Sequence, residues 1–266
     1  MISYRPDYYD EFRCIAGRCK NSCCIGWEID VDPFSQERYE NIEFIKDKIK
    51  DGSYVLCEGD RCPFLRPDGL CEQIIRYGED ILCDICREHP RFYNEYDDHT
   101  DMGLGLCCEE VCNIVLHKTD KFRLVPEREM SEEIKIIQDR SIPFSDRIRK
   151  LGIPVPDMAK LLKDYGDLER LYPEWTDLLR EVSGEDLSPS AAEGYMNSNA
   201  VSMEQLSCYY LYRYPDKVWF CVITAYLISN MCLYSKSKTM FDIARMYSSE
   251  VEYSDLNISQ LERIYA

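Results

Sequence analysis

The stretch CIAGRCKNSCC, residues 14–24, holds four thiols in eleven residues and ends in the adjacent pair Cys23 and Cys24. Thiols at this density are oxidised to disulfides, ligate a metal, or stay reduced in a core. Which of these three states the cysteines adopt decides how the N-terminal part of the chain folds, because it decides which loops are held together.

The setting of these cysteines argues against disulfides. The N-terminus, MISYRPDYYDEF, is polar and acidic and lacks the apolar segment of a secretory signal. We therefore expect a cytoplasmic protein, where thiol buffers oppose structural disulfides. The total of 15 cysteines is also odd, which does not suit a fully paired framework.

The charge of the chain restricts its partners. The net charge of −17 and the absence of a Lys/Arg run argue against nucleic acid, since binding phosphates requires a basic surface. Residues 1–120 hold 14 Lys/Arg against 26 Asp/Glu, so the cysteine-rich part is also the more acidic part. This excess suits a cationic partner, or it serves only to keep the protein soluble.

Composition divides the chain in two. Twelve of the 15 cysteines lie before residue 113, which predicts a cysteine-rich metal or cluster domain over 1–117 and an α-helical domain over 118–266. The fold class is mainly α, with short β-hairpins in the first part. Apolar spacing predicts a helix over 33–52 that stops at Gly52, two short strands within 91–108, and a helix over 109–117. Further helices are predicted at 157–171, 173–182, 200–213, 216–235 and 239–248.

The apolar run from Val218 to Tyr234 needs a separate test. A membrane-spanning helix requires about 20 predominantly apolar residues. This run is shorter and contains Thr224, Ser229 and Asn230. It therefore predicts a buried central helix and no membrane partner.

The cysteine spacing favours metal ligation. CDIC, residues 83–86, has the spacing at which two thiolates chelate one ion, and the turn in CPFLRPDGLC should bring Cys62 close to Cys71. Two such pairs make a site for zinc or an iron–sulfur cluster. Vicinal side chains diverge, so Cys23 and Cys24 serve different sites or one of them packs. Three cysteines in apolar helical segments are expected to be core residues: Cys208, Cys221 and Cys232.

Other catalytic signatures are missing from the sequence. There is no CxxxCxxC run of the radical type, no phosphate-binding loop, no complete dinucleotide fingerprint, no GxSxG and no HExxH. The spacing alone thus predicts a cysteine-ligated metal domain joined to a helical domain, without naming a reaction.

The ordered motifs F-x-C, C-x3-CC-x-GW, CPFL and CxxCRxxPR resemble those of the flagellin lysine-N-methylase (FliB-like) family, within the group named for its CxxCxxCC motif. The resemblance runs from near residue 4 to near residue 265. It implies transfer of a methyl group from S-adenosylmethionine to lysine side chains of flagellin or another lysine-bearing protein. It also implies a 4Fe–4S cluster, with zinc as the alternative.

Carried over by position, the resemblance implies a set of metal ligands. Their residues are Cys19, Cys23, Cys24, Cys62, Cys71, Cys83, Cys86 and Cys108. Cys14 also matches but is the expected bystander, whereas Cys57, Cys107 and Cys112 fall outside the pattern. Glu110 takes the place of a family glutamate, and Glu252-Tyr253-Ser254 stands where the family has Glu-His-Ser.

The leading hypothesis is a lysine methylase, with Glu110 and Asp30 as candidates for the catalytic or lysine-steering group. Asp32 and Glu109, which are also close in sequence to the cysteine motifs, are further candidates for lysine steering. The alternative is a non-catalytic adaptor that is stabilised by zinc or a cluster and binds a basic protein. A thiol redox sensor is the third.

Overall fold

The computed structural model describes residues 2–266, and helices dominate it, as the sequence predicts. The chain forms two compact units. The cysteine unit comprises Arg13–Phe92 and Cys108–Glu110. The helical unit comprises the N-terminal segment ending at Phe12, together with Tyr93–Cys107 and Val111–Ala266. These units alternate along the chain, so their bounds differ from the predicted boundary at residue 117, and that boundary stays a prediction.

Four short helices and one small hairpin form the regular structure of the cysteine unit. The helices are α1 (Pro33–Tyr39), α2 (Glu43–Lys46), α3 (Glu72–Tyr77) and α4 (Asp84–Glu88). The hairpin is formed by two antiparallel strands, which are β2 (Ile49–Lys50) and β3 (Ser53–Tyr54).

The predicted continuous helix over 33–52 is wrong. Helix α1 ends at Tyr39, Ile42 leaves helical geometry with φ −120° and ψ 85°, and α2 lasts a single turn. Asp51 and Gly52 then both adopt positive φ, 51° and 88°, and join β2 to β3. An Asp-Gly pair with both residues at positive φ is the turn that suits a two-residue hairpin. Gly52 therefore turns a hairpin and does not stop a long helix.

Ten helices carry most of the remaining regular structure in residues 93–266. They are α5 (Glu109–His117), α6 (Glu132–Ile137), α7 (Phe144–Lys150), α8 (Met158–Gly166), α9 (Pro173–Ser183), α10 (Pro189–Ser198), α11 (Ala200–Arg213), α12 (Val218–Tyr234), α13 (Met240–Tyr247) and α14 (Asp255–Tyr265). A π-helical turn, Ser248–Glu252, joins α13 to α14. The five helices predicted after residue 150 are confirmed: α11 has the predicted bounds, α9 ends one residue later, and α8, α12 and α13 are shorter than predicted. Helices α6, α7, α10 and α14 were missed.

A four-stranded sheet has the order β4-β5-β1-β6. Its strands are β1 (Ile2–Pro6), β4 (Arg91–Glu95), β5 (His99–Leu104) and β6 (Leu124–Val125). Strand β1 runs parallel to β5, with Tyr4 opposite Asp101, and antiparallel to β6. The two strands predicted within 91–108 are confirmed as the neighbours β4 and β5.

Helix α12 is the centre of the helical unit. Every residue from Trp219 to Met231 is buried, and α12 packs against α8, α9, α10, α11, α13 and α14. A helix that is apolar on all sides requires such enclosure. The predicted buried central helix is therefore confirmed. None of the helices in residues 2–266 is both long and apolar enough to cross a membrane.

Candidate functional site

Five cysteines contribute to the apolar core of the cysteine unit. Cys62 and Cys83 are buried in it, while Cys24, Cys71 and Cys86 are half-buried and pack against it. The 15 cysteines all lie within residues 2–266, and none of them forms a disulfide in this structure. The core around them is formed by side chains from several loops and short helices: Ile29, Val31, Tyr39, Ile45, Tyr54, Phe64 and Ile81. Five of the eight predicted ligands, from three separate sequence motifs, thus meet in one core.

Backbone hydrogen bonds bring the first two motifs together. The Cys62 N–H donates to the Cys24 carbonyl at 2.8 Å, and the Gly26 N–H donates to the Asp60 carbonyl at 3.0 Å. This pairing aligns the end of CIAGRCKNSCC with the start of CPFL. It fixes Cys24 beside Cys62, although the two residues are far apart in sequence.

The RPDG turn then places Cys71. The Arg66 N–H donates to the Leu70 carbonyl at 3.0 Å, and Leu65 pairs with Cys71 across the turn. The predicted approach of Cys71 to Cys62 is confirmed. Gly17 packs on the same turn so closely that an added Cβ would lie 2.5 Å from the Asp68 carbonyl oxygen. The loop of the first four cysteines therefore requires glycine at this position.

Asp32 positions the CDIC motif. Its carboxylate accepts hydrogen bonds from the Ser35 N–H at 2.8 Å and from the Asp84 N–H at 2.9 Å. One side chain thereby caps α1 and ties it to the start of α4, directly after Cys83. Arg38 adds bonds from its guanidinium to the carbonyls of residues 80–82. The loop that presents Cys83 is therefore fixed from both sides.

Thiol–thiol hydrogen bonds shift the acidity of the core cysteines. Bonds from the Cys23 and Cys62 thiols hold the pKa of Cys24 well below its ordinary range, and the bond with Cys86 lowers the pKa of Cys83 to about 7. The same bonds raise the pKa values of Cys23, Cys62 and Cys86. Thiolates stabilised in this way are the form in which cysteine binds metals and reacts.

The vicinal cysteines face two groups of thiols. Besides burial and its bond with Cys24, the charges of Cys14 and Cys108 raise the pKa of Cys23. The charge of Cys24 instead raises the pKa values of three thiols on the other side: Cys62, Cys71 and Cys86. The hydrogen bond between the Cys23 and Cys24 thiols nevertheless brings these two side chains together, so the expectation that they diverge is wrong.

His89 lies near the core thiols but is neutral. Burial lowers its pKa to about 4, although the nearby Cys24 charge acts in the opposite direction. Its ring packs 6.0 Å from that of Trp27, whose indole N–H donates to the Cys23 carbonyl. Sequence reasoning gave neither residue a role at the site, although Trp27 ends the motif C-x3-CC-x-GW.

Glu109 anchors the loop of the first cysteines. Its Oε2 accepts hydrogen bonds from the Lys20 N–H at 2.8 Å and from the Asn21 N–H and Nδ2 at 3.0 Å each. The Cys19 thiol approaches the same oxygen at 3.5 Å. Partial burial raises the pKa of Glu109, but the bonds from Asn21 and Lys20 outweigh it and the pKa falls. An ionised carboxylate therefore holds the loop.

The two predicted catalytic candidates both belong to the cysteine unit. Glu110 is the second residue of α5, next to the anchoring Glu109. Asp30 is exposed, and its Oδ1 accepts a hydrogen bond from Ser53 Oγ at 2.7 Å, which ties it to β3. Neither position has been tested as a catalytic group, and both stay predictions.

The cysteines outside the predicted ligand set differ in burial. Cys14 is exposed and accepts a hydrogen bond from the Ala16 N–H at 3.4 Å. Cys208 and Cys221 are buried in the helical unit, as predicted, and Cys232 is half-buried. Cys112 is also buried and donates from its thiol to the Phe241 carbonyl.

The core thiols fit a metal cluster by chemistry but not by arrangement. Several thiols within one apolar core are the donors that zinc and iron–sulfur clusters use. Within residues 2–266, however, no three His, Cys, Asp or Glu side chains are arranged to hold one metal ion. The eight predicted ligands therefore stay a prediction.

Comparison with known proteins adds a distant likeness. The flagellar biosynthetic protein FliU of Salmonella muenchen is 25% identical over 141 residues, which cover 47% of this chain and 83% of that protein. The lysine-N-methylases of Salmonella typhimurium and Salmonella choleraesuis are each 25% identical over 134 residues. The chain is distantly similar to lysine-N-methylases.

The extent of this likeness is limited. It covers 45% of this chain and 33% of each lysine-N-methylase. The matched stretch is thus shorter than the motif resemblance, which extends over nearly the whole sequence. No family model matches the chain, and no solved structure matches it.

Proposed function

We propose that this protein is a lysine N-methyltransferase that uses S-adenosylmethionine and acts on flagellin or a similar lysine-bearing protein. The observation that carries the proposal is the likeness to the Salmonella lysine-N-methylases. The ordered cysteine motifs support it independently of percentage identity. Because the matched stretch spans only a third of those enzymes, the complete activity is part of the proposal.

The reaction sets clear demands on the protein. The neutral ε-amine of lysine attacks the sulfonium methyl carbon, a C–N bond forms, and the S–C bond breaks with its electron pair left on sulfur. The methylated nitrogen then loses a proton to solvent or a base. The protein must therefore attract a cationic lysine, remove its proton and align the nitrogen with the methyl group.

We propose further that the cysteine unit holds a 4Fe–4S cluster, with zinc as the alternative. The eight ligand candidates are Cys19, Cys23, Cys24, Cys62, Cys71, Cys83, Cys86 and Cys108. The depressed pKa values of Cys24 and Cys83 are compatible with thiolate ligands. Held by three of these cysteines, such a cluster would offer a site for the amino-acid end of S-adenosylmethionine; held by four, it would be structural.

The metal content of anaerobically purified protein tests the cluster. We expect iron and inorganic sulfide, with a brown absorption spectrum, and we expect both to fall in a Cys83→Ser, Cys86→Ser double variant. A Cys221→Ser variant is the matched control, because Cys221 is buried in the helical unit. Colourless protein with stoichiometric zinc would show that the site holds zinc and not a cluster. Protein without metal would refute this part of the proposal.

Methyl transfer tests the enzyme. The anaerobic protein is incubated with S-adenosylmethionine and flagellin from the same source, and tryptic lysine peptides are weighed by mass spectrometry. We expect a mass increase of one CH2 for each methyl group added, which is absent without S-adenosylmethionine. An intact metal site with no transfer would refute the activity. Stable capture of flagellin in that case would indicate the adaptor.

A further inference from the structure

The π-helical turn Ser248–Glu252 carries a buried carboxylate into the helical unit. Glu252 is 6% exposed, and its Oε1 accepts a hydrogen bond from the Tyr209 hydroxyl at 2.9 Å. The guanidinium of Arg213 lies 3.3 Å from the same oxygen and donates to the Tyr209 hydroxyl at 2.7 Å. One carboxylate oxygen is therefore fixed in place by two partners. Single π-helical turns of this kind occur frequently at functional sites.

Three other oxygen atoms in this region have no hydrogen-bond partner within residues 2–266. They are Glu252 Oε2, Tyr210 OH and Ser248 Oγ, and all three are buried. Tyr210 is 1% exposed and Ser248 is fully buried. Buried polar atoms are almost always hydrogen-bonded, because leaving one unpaired is costly. A carboxylate oxygen and two hydroxyls without partners therefore require an explanation.

The three oxygens belong to one neighbourhood. Ser248 and Glu252 are four residues apart on the same turn, which places them on nearly the same face. Burial raises the pKa of the Tyr210 hydroxyl, and among charged groups Glu252 contributes most to that rise. The Tyr210 ring also packs 5.9 Å from that of Tyr247, the residue before the turn. The hydroxyl of Tyr210 thus lies within electrostatic range of the Glu252 carboxylate and packs beside the start of the turn.

The surroundings already hold one cation. The Arg213 guanidinium lies over the rings of Tyr214 and Tyr253, at 5.4 and 5.3 Å. Tyrosine faces attract cations, so the chain already holds one positive charge here. Tyr209 and Tyr210 add two further rings, 5.0 Å apart. A carboxylate with one committed and one uncommitted oxygen can accept a second cation without releasing the first.

We propose that Glu252 Oε2, Tyr210 OH and Ser248 Oγ bind a primary ammonium group. Such a group has three N–H donors, which match the three unpartnered oxygens in number and polarity. If the proposed function is correct, this ammonium is that of the substrate lysine before it loses its proton. The identity of the ligand as substrate rests on that function, whereas the binding of an ammonium does not.

One residue beside the three oxygens is exposed. Tyr253 follows Glu252 and is 45% exposed, while Arg213 and Tyr214 are half-buried. The cluster therefore extends from an exposed ring, past a stacked guanidinium, to the buried carboxylate. A lysine side chain, which ends in a charge on a long apolar stem, suits a path of this kind.

Binding of Nα-acetyl-lysine amide, compared with its norleucine analogue, tests the site. The two probes differ by the ammonium group alone, and isothermal titration calorimetry measures both. We expect the wild-type protein to bind the lysine probe and not the norleucine probe. Glu252→Gln should weaken lysine binding roughly tenfold or more, as expected when a charged hydrogen bond is lost.

Two further variants control for folding and for surface charge. Tyr210→Phe removes only an unpartnered hydroxyl, so we expect weaker lysine binding with an unchanged or higher melting temperature. Glu262→Gln removes a carboxylate from the exposed side of α14 and should leave binding unchanged. Equal binding of both probes, or equal affinity in wild type, Glu252→Gln and Tyr210→Phe, would overturn the proposal. So would an absence of lysine binding, as expected if only water fills the site.

The outcome separates this inference from the proposed function. Lysine binding that depends on Glu252, in a protein that transfers no methyl group, would refute the function and keep the site. Methyl transfer that persists in both Glu252→Gln and Tyr210→Phe would keep the function and refute the site as the place where the substrate lysine binds.

Discussion

At the scale of single residues, two neighbouring glutamates have different surroundings. Position-by-position resemblance selects Glu110. In the structure, however, it is Glu109 that contacts the cysteine loop, where it accepts hydrogen bonds from Lys20 and Asn21. The sequence offers no means of separating them, since both are suitable first-turn residues of α5. Only the approach of a distant loop distinguishes the pair.

Replacing Glu109 by alanine should loosen the loop of the first cysteines. Three N–H groups lose an ionised acceptor, and we expect a cost of about 1–3 kcal/mol in the free energy of unfolding. Alkylation of Cys19 and Cys23 by iodoacetamide, followed by mass spectrometry, should become faster. Glu110→Ala is the matched control and should alkylate like the wild type. Equal alkylation rates in the two variants would remove the anchoring role of Glu109.

At the scale of elements, a short turn decides the structure of residues 33–54. The spacing of Tyr39, Ile42, Ile45 and Ile49 resembles one face of a helix, yet the chain forms two short helices and a hairpin. The Asp51-Gly52 pair was a hairpin signal within that stretch. A helical period that persists over three turns cannot by itself exclude a turn at its end.

Gly52→Ala tests the hairpin. Gly52 has φ 88°, a conformation that costs an L-residue about 1–2 kcal/mol, so we expect the free energy of unfolding to fall by that amount. Gly166→Ala is the control, because Gly166 ends α8 and an added Cβ there meets nothing within 4 Å. It should be neutral or stabilising by up to about 1 kcal/mol. Urea denaturation measures both, and an equal effect of the two substitutions would contradict the assigned turn.

At the scale of the whole molecule, charge is the property that bears on partners. The net charge of −17 gives the protein a negative field that attracts cations over distances set by salt. A lysine-rich protein substrate would be drawn toward such a surface. This property follows from composition and does not depend on the arrangement of either unit.

If the proposed function is correct, association with the substrate should therefore weaken with salt. Raising the ionic strength from about 0.1 M to about 1 M shortens the Debye length from about 10 Å to about 3 Å. We expect the association rate with flagellin, measured by stopped-flow fluorescence, to fall tenfold or more, as electrostatic steering is screened. Sucrose at equal osmolality controls for non-ionic effects. A rate that is independent of salt would show that the acidic surface does not steer the substrate.

The sequence alone determined the features that depend on local pattern. It predicted the mainly helical fold, the buried helix α12, the neighbouring strands β4 and β5, and the turn that brings Cys71 to Cys62. Each follows from hydrophobic periodicity or from turn residues a few positions apart. The cysteine motifs also indicated the family that the distant likeness supports in part.

Tertiary structure alone decided what depends on residues far apart in the chain. It brought Cys24, Cys62, Cys83 and Cys86 into one core and placed Glu109 where it anchors the cysteine loop. It also left three buried oxygens, those of Glu252 Oε2, Tyr210 OH and Ser248 Oγ, without hydrogen-bond partners among the described residues. Such contacts arise from backbone pairing and burial between residues that are far apart in sequence. The hydrophobic periodicity of a single segment contains no information about them. Chemistry at a site depends on those distances, so the sequence could name the candidate residues but not how they are arranged.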